Sequence, residues 1–174
     1  MTALLQNPRV ETERLILRRP VLADADRYVE FHQSDRAKYV EGVLDERESW
    51  YCFYTELGHW DLHGFGSFAV TLKGDDRPVG MVGPFFPRMW PEPEIGYIVY
   101  PEVEGKGIAF EAAVAARIFA FRSLGWKTAV SYIDPENARS IRLAERMGAK
   151  LDPDAVPVDE DDLVYRHPAP GVAS

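Results

Sequence analysis

The chain has 174 residues, 46% hydrophobic and 28% charged, with a net charge of −8 at pH 7. Such a length and apolar content suit one domain with a sizeable core and exclude a disordered chain. The acidic balance argues against a nucleic-acid partner and suits a cationic or neutral one, although an acidic surface is also ordinary for a soluble protein.

A single cysteine, Cys52, excludes an internal disulfide and a cysteine-rich metal site, so no metal is expected. No signal peptide and no apolar run of membrane-spanning length stand out, so the expectation is a cytoplasmic protein without a membrane partner. The domain is read as spanning 1–174, with 1–8 and 168–174 as loose tails.

Leu15–Arg18 reads as the first strand. Leu22 to Gln33 reads as a helix, with Asp24 and Asp26 in the first turn where the helix dipole favours them. Residues 45–60 form an aromatic helix carrying Trp50, Phe53, Tyr54 and Trp60. Aromatics so spaced suit a core or pocket wall, and Trp60 and His63 at its end are placed to rim a cleft. Gly66 to Lys73 and Pro78 to Phe86 alternate as strands around a Gly74-Asp75-Asp76 turn. A proline-rich loop, Arg88–Pro93, then leads to a strand in which Ile95, Tyr97 and Val99 alternate with Glu94, Gly96 and Ile98.

Pro101 ends that strand, Gly105 and Gly107 bracket Lys106 in a tight loop, and an alanine-rich helix runs from Ile108 to Leu124. Lys127 to Ile133 is the next strand. Asp134 can cap a following helix, with Pro135 in its first position and Gly148 at its C-terminal end. Lys150-Leu151 and Leu163–Arg166 make a final hairpin around an acidic loop, Asp152 to Asp162, that lacks calcium-loop spacing. The order predicts an α/β or α+β layered fold, a mixed sheet flanked by helices, with the strands on either side of the long helix parallel.

The glycine loop is the chemically informative stretch. Glycines let backbone N–H groups turn toward a ligand, and a helix start adds orphan donors and a positive dipole end, so an anion is the natural guest. It is not a P-loop, and Phe110 stands where a dinucleotide fingerprint needs its third glycine. Alone, the loop is equally a plain turn before a buried helix.

Four segments together resemble the GNAT superfamily of acyl-coenzyme A-dependent N-acetyltransferases, and within it the ribosomal-protein N-terminal (Rim-type) group. They are Glu11–Arg18; Glu94-Ile95-Gly96-Tyr97; Glu104-Gly105-Lys106-Gly107-Ile108-Ala109 with Glu111-Ala112; and Asp134–Ser140 followed by Glu145–Ala149. The third is similar to that superfamily's Q/R-x-x-G-x-G/A loop. The resemblance implies an acyl-CoA N-acyltransferase fold, with a mixed sheet splayed into a V that holds acetyl-CoA. It implies that Glu104, Gly105, Lys106, Gly107, Ile108, Ala109 and Phe110 surround the pyrophosphate. It places the pantetheine arm along Ile98 and Val99, with Asn137 and Ser140 beside it. It departs from the pattern at Glu104, where Gln or Arg is usual and a carboxylate is expected to weaken binding, and at Ala144, where many members carry a tyrosine acid.

The implied reaction is acetyl transfer from acetyl-CoA to a primary amine, a small molecule or a protein N-terminus, by direct attack in a ternary complex. Such a reaction needs a base, and Glu94 is the first candidate by its place at the start of the cofactor strand; it can equally cap a strand edge. His63 is the second candidate. The resemblance gives Ser140 the role of protonating the leaving thiolate. An alternative is a non-catalytic acyl-CoA-binding module on the same scaffold, and a homodimer is compatible with either.

Overall fold

The computed structural model describes residues 7–171. In chain order they form β1 (Val10–Glu11), β2 (Leu15–Arg18), α1 (Ala25–His32), α2 (Glu46–His63), β3 (Phe68–Leu72), β4 (Pro78–Phe85) and β5 (Glu94–Val99). There follow α3 (Ile108–Arg122), β6 (Val130–Ile133), α4 (Ala138–Arg146), β7 (Lys150–Leu151) and β8 (Leu163–Arg166). Residues 7–8 and 168–171 carry neither helix nor strand, and the rest of the two expected tails lies outside the described residues.

The eight strands make one sheet in the order β1-β2-β3-β4-β5-β6-β8-β7. Every pairing is antiparallel except β5 with β6, as the strand–helix–strand unit predicts. Alternation sorts the side chains onto two faces. Leu15, Leu17, Phe68, Val70 and Val82 pack against Ile108, Ala112, Ala116 and Phe119 of α3. Ala69 and Met81 face Tyr28 of α1 and Phe53 of α2, joined by Ile98. Burying each large side chain contributes about 1.5–3 kcal/mol.

On β5, therefore, Tyr97 and Val99 face α3, whereas Glu94, Gly96 and Ile98 face α1 and α2. The aromatic helix is fixed at both ends. Asp45 accepts the Glu48 N–H at 2.8 Å while the Glu48 carboxylate takes the Asp45 N–H at 2.9 Å, and Gly64, at φ +74°, ends the helix.

Two expectations are corrected here. Trp60 does not rim a cleft: it is 2% exposed, and its indole N–H donates to the Ser67 carbonyl at 2.8 Å. His63 closes the last turn of α2. The helix after β6 starts three residues later than Pro135. Asp134 folds its own turn, its carboxylate taking the Glu136 N–H at 2.7 Å, and Asn137 becomes the cap of α4.

Candidate active site

β5 and β6 pair at a single position, Glu94 with Val130. Just beyond, Ser131 donates its hydroxyl to the Ile95 carbonyl at 2.7 Å, a side chain standing where a ladder bond would run. From there the strands part, and the backbone groups of β5 that point away from β4 face an open wedge. Ile98 and Val99 lie along this free edge, their side chains packed on opposite faces. An edge of unpaired N–H and C=O groups suits an extended, amide-bearing ligand.

A 3-10 turn, Pro101–Val103, carries the chain from β5 to the glycine loop. Gly105 and Gly107 have φ of +72° and +77°, the left-handed region. Gly107 is the residue before the first turn of α3 and offers no side chain to cap it. The N–H groups of Ile108, Ala109 and Phe110 thus begin a 15-residue helix with no intrahelical acceptor. The Ile108 side chain is buried under the loop, and Phe110 lies under the Arg146 guanidinium at 4.8 Å, so both offer backbone outward while their side chains anchor. Lys106 is exposed. Arg14, the residue before β2, braces the loop: it donates to the Lys106 carbonyl at 2.9 Å and to Glu111 at 2.6 Å.

Glu94 stands at the closed end of the wedge. Its carboxylate accepts the Trp90 indole N–H at 2.7 Å and is also held by the Tyr132 backbone. Burial outweighs these donors and pushes its pKa up to about 7. Across the wedge, Asn137 accepts the Ser140 N–H at 3.2 Å, leaving its amide NH2 without a protein acceptor among the described residues. The Ser140 carbonyl takes the Tyr97 hydroxyl at 3.1 Å, so β5 and the first turn of α4 are tied across the wedge's α3 side. The structure thus brings Glu94, the Ile98–Val99 edge, the glycine loop, Asn137 and Ser140 around one opening. It leaves His63 outside, against His59 and Phe65.

Residues 14–150 match the Acetyltransferase (GNAT) domain family. The chain belongs to the GNAT acetyltransferase family. An acetyltransferase from Agrobacterium tumefaciens strain C58 is 39% identical, with a TM-score of 0.89 over 94% of this chain and 95% of that one. An uncharacterised N-acetyltransferase of Bacillus subtilis strain 168, YnaD, is 27% identical over 81% of this chain and 82% of its own. A ribosomal L7/L12 α-N-protein acetyltransferase, RimL, solved in complex with coenzyme A, is 14% identical, with a TM-score of 0.71 over 92% of this chain and 97% of that one; it shares the fold. GNAT enzymes use acetyl-CoA, and the orphan donors at the start of α3 are the chemistry its pyrophosphate requires.

Both departures from the GNAT pattern acquire a physical account. Glu104 is paired with two arginines: Arg36 donates to both carboxylate oxygens at 2.7 Å, and Arg139 to one at 3.0 Å. One negative and two positive charges leave the loop entrance cationic, which removes the ground for the expected weakening. Arg36 was hidden from sequence reading because 68 residues separate it from Glu104. Arg139, two residues after Asn137, could have been suspected. Replacing both with alanine is expected to raise the Kd for acetyl-CoA about tenfold or more, since it leaves a carboxylate facing the phosphates; isothermal calorimetry measures it. Ala144 is fully buried with Ile133, Ala149 and Tyr165, so a tyrosine there would have to break into this small core.

Proposed function

We propose that this GNAT enzyme transfers an acetyl group from acetyl-CoA to a primary amine by direct attack in a ternary complex. The observation that carries this reading is Glu94, a carboxylate tuned toward neutrality at the point where β5 and β6 separate. A base poised near working pH accepts a proton from an ammonium and still re-ionises for the next turnover.

The N–H groups of Gly105, Gly107, Ile108, Ala109 and Phe110, with Lys106 at the entrance beside the paired Glu104, are the residues that would hold the pyrophosphate. The free edge at Ile98 and Val99 and the amide of Asn137 would hold the arm. The acceptor ammonium passes a proton to Glu94. Its nitrogen then bonds the acetyl carbon, the C–S bond breaks, and the nitrogen's second proton is relayed to the leaving thiolate, giving the amide and the free thiol. Ser140 suits that last delivery, directly or by orienting a water. Its N–H and carbonyl are both fixed, and its hydroxyl has no protein partner among the described residues. A backbone N–H at Ile98 or Val99 is the donor available to the developing oxyanion.

A protein N-terminus is one such amine, by likeness to the ribosomal-protein enzyme; a small-molecule amine is the other. Release of coenzyme A thiol, followed over a panel of amines, tests the reading. Turnover on at least one amine is expected. Tight acetyl-CoA binding with no turnover on any amine would instead make the chain a non-catalytic acyl-CoA module.

A further inference from the structure

Glu56 takes no part in the chemistry above, yet its setting is costly. It lies on the buried face of α2 marked by Ser49, Phe53 and Trp60. Its Oε2 is sealed from solvent and meets no hydrogen-bond partner. A carboxylate oxygen so placed is unfavourable until a donor comes to it.

Beneath α2 the sheet surface is bare at Gly96. Gly83 pairs with Gly96, and Phe68 opposite Val82 sets Ser67 beside Gly83, where a Cβ would meet the Gly66 carbonyl at 2.7 Å and the Ser67 Cα at 2.8 Å. A Cβ built on Gly96 would meet only the Glu94 carboxylate, its oxygen 3.9 Å away, so the space above Gly96 is open. Glu56 reaches Ser67 at one end of this row, and Glu94 stands over Gly96 at the other. Glu41, exposed before α2, acts electrostatically on both. From the loop preceding β8, Asp159 acts on Glu41 and Asp162 on Glu94. Among the described residues none of Glu41, Glu56 and Glu94 has an ion-pair partner; Arg27 is committed to Glu30 and Glu102, and Arg36 and Arg139 to Glu104.

We propose that the acceptor is a small aliphatic diamine or polyamine, its reacting nitrogen at Glu94 and a second ammonium at Glu56, drawn in past Glu41. This rests on the amine-acetylation reading above. An ammonium has three donors and no acceptor, which matches an orphan carboxylate oxygen. The methylenes between the nitrogens would lie over Gly96, beside Met81 and Ile98 of the apolar α1–α2 face. A monoamine of equal length would leave Glu56 unsatisfied, the kind of deficit by which sites reject analogues. Burial pushes Glu56, like Glu94, up to about 7, and a dication would return both to the ionised form.

The test compares 1,4-diaminobutane and spermidine with butylamine, in wild type and Glu56→Gln. The expected result is a kcat/KM about 100-fold higher for the diamines than for butylamine, and a collapse of that preference to about threefold or less in Glu56→Gln, mainly through KM. Equal turnover of mono- and diamine by wild type overturns the proposal, as does a preference that survives Glu56→Gln. A short peptide with an N-terminal Ala-Lys that outperforms both diamines also overturns it, in favour of a protein N-terminus. Calorimetric binding of 1,4-diaminobutane and butylamine to the coenzyme A complex gives the same comparison without turnover. If no amine is acetylated yet the diamine alone binds, and does so through Glu56, the catalytic reading fails and the dication site stands.

Discussion

Gly107→Trp is expected to abolish acetyl-CoA binding. At φ +77° and ψ 5° the residue sits in left-handed backbone at the mouth of α3. A Cβ there already approaches the Arg14 guanidinium to 3.4 Å, so an indole has only the ligand's side to occupy. The conformational strain of a non-glycine residue is about 1–2 kcal/mol, too little to unfold a domain of ordinary stability. Losing two charge-assisted hydrogen bonds from the orphan N–H groups costs about 4 kcal/mol, or about 1000-fold in Kd. Gly107→Ala separates the two effects, since it carries the strain without filling the cradle, and should weaken binding far less. Calorimetry with acetyl-CoA on folded protein measures both; an unchanged Kd for the tryptophan variant would sink the loop assignment.

Glu94→Gln should lower kcat by about 100- to 1000-fold, within the range for loss of a positioned base, while the acetyl-CoA Kd stays within about twofold. The pH profile sharpens the test. With its pKa raised to about 7, Glu94 is mostly protonated and inactive as a base at pH 6 and ionised above pH 8, so kcat rises through neutrality and then levels. The glutamine variant should lose that rise. The opposite sign governs folding. The carboxyl's pKa is raised from its ordinary 4.5, so its contribution to stability is fully present below that value and is lost as pH climbs through about 7. The variant should therefore be at least as stable as wild type above neutrality, which a melting series checks. Turnover equal to wild type across the whole pH range would remove Glu94 as the base.

How much of this was readable in the chain depends on the reach of each signal. The strand–glycine–helix unit was legible because alternation, left-handed glycines and an alanine-rich run are local and agree with one another. The start of α4 is ambiguous in the sequence because two capping residues stand three apart. Asp134 closes a turn around Pro135, and Asn137 caps the helix itself. The sequence marks the face of α2 that carries Trp60 but not what covers it; Phe68 of β3 and the Ser67 carbonyl do. The Arg36–Glu104–Arg139 bridge joins three distant segments and has no local signature. Glu56 is the most instructive miss. Its spacing from Phe53 and Trp60 marks it as inward-facing, but a lone carboxylate among aromatics reads as solvated until the packing shows otherwise.

The bond between Trp90 and Glu94 makes the site its own optical instrument. An indole donating 2.7 Å to a carboxylate should change its emission when that group gains or loses charge. Of the four tryptophans, Trp60 is locked to a carbonyl, and Trp50 and Trp126 have no carboxylate partner among the described residues. A fluorescence titration of the resting enzyme should show a step near pH 7 that disappears in Trp90→Phe and in Glu94→Gln alike. The same signal would follow an acceptor's arrival at the carboxylate in real time, separating its binding from the transfer that comes after.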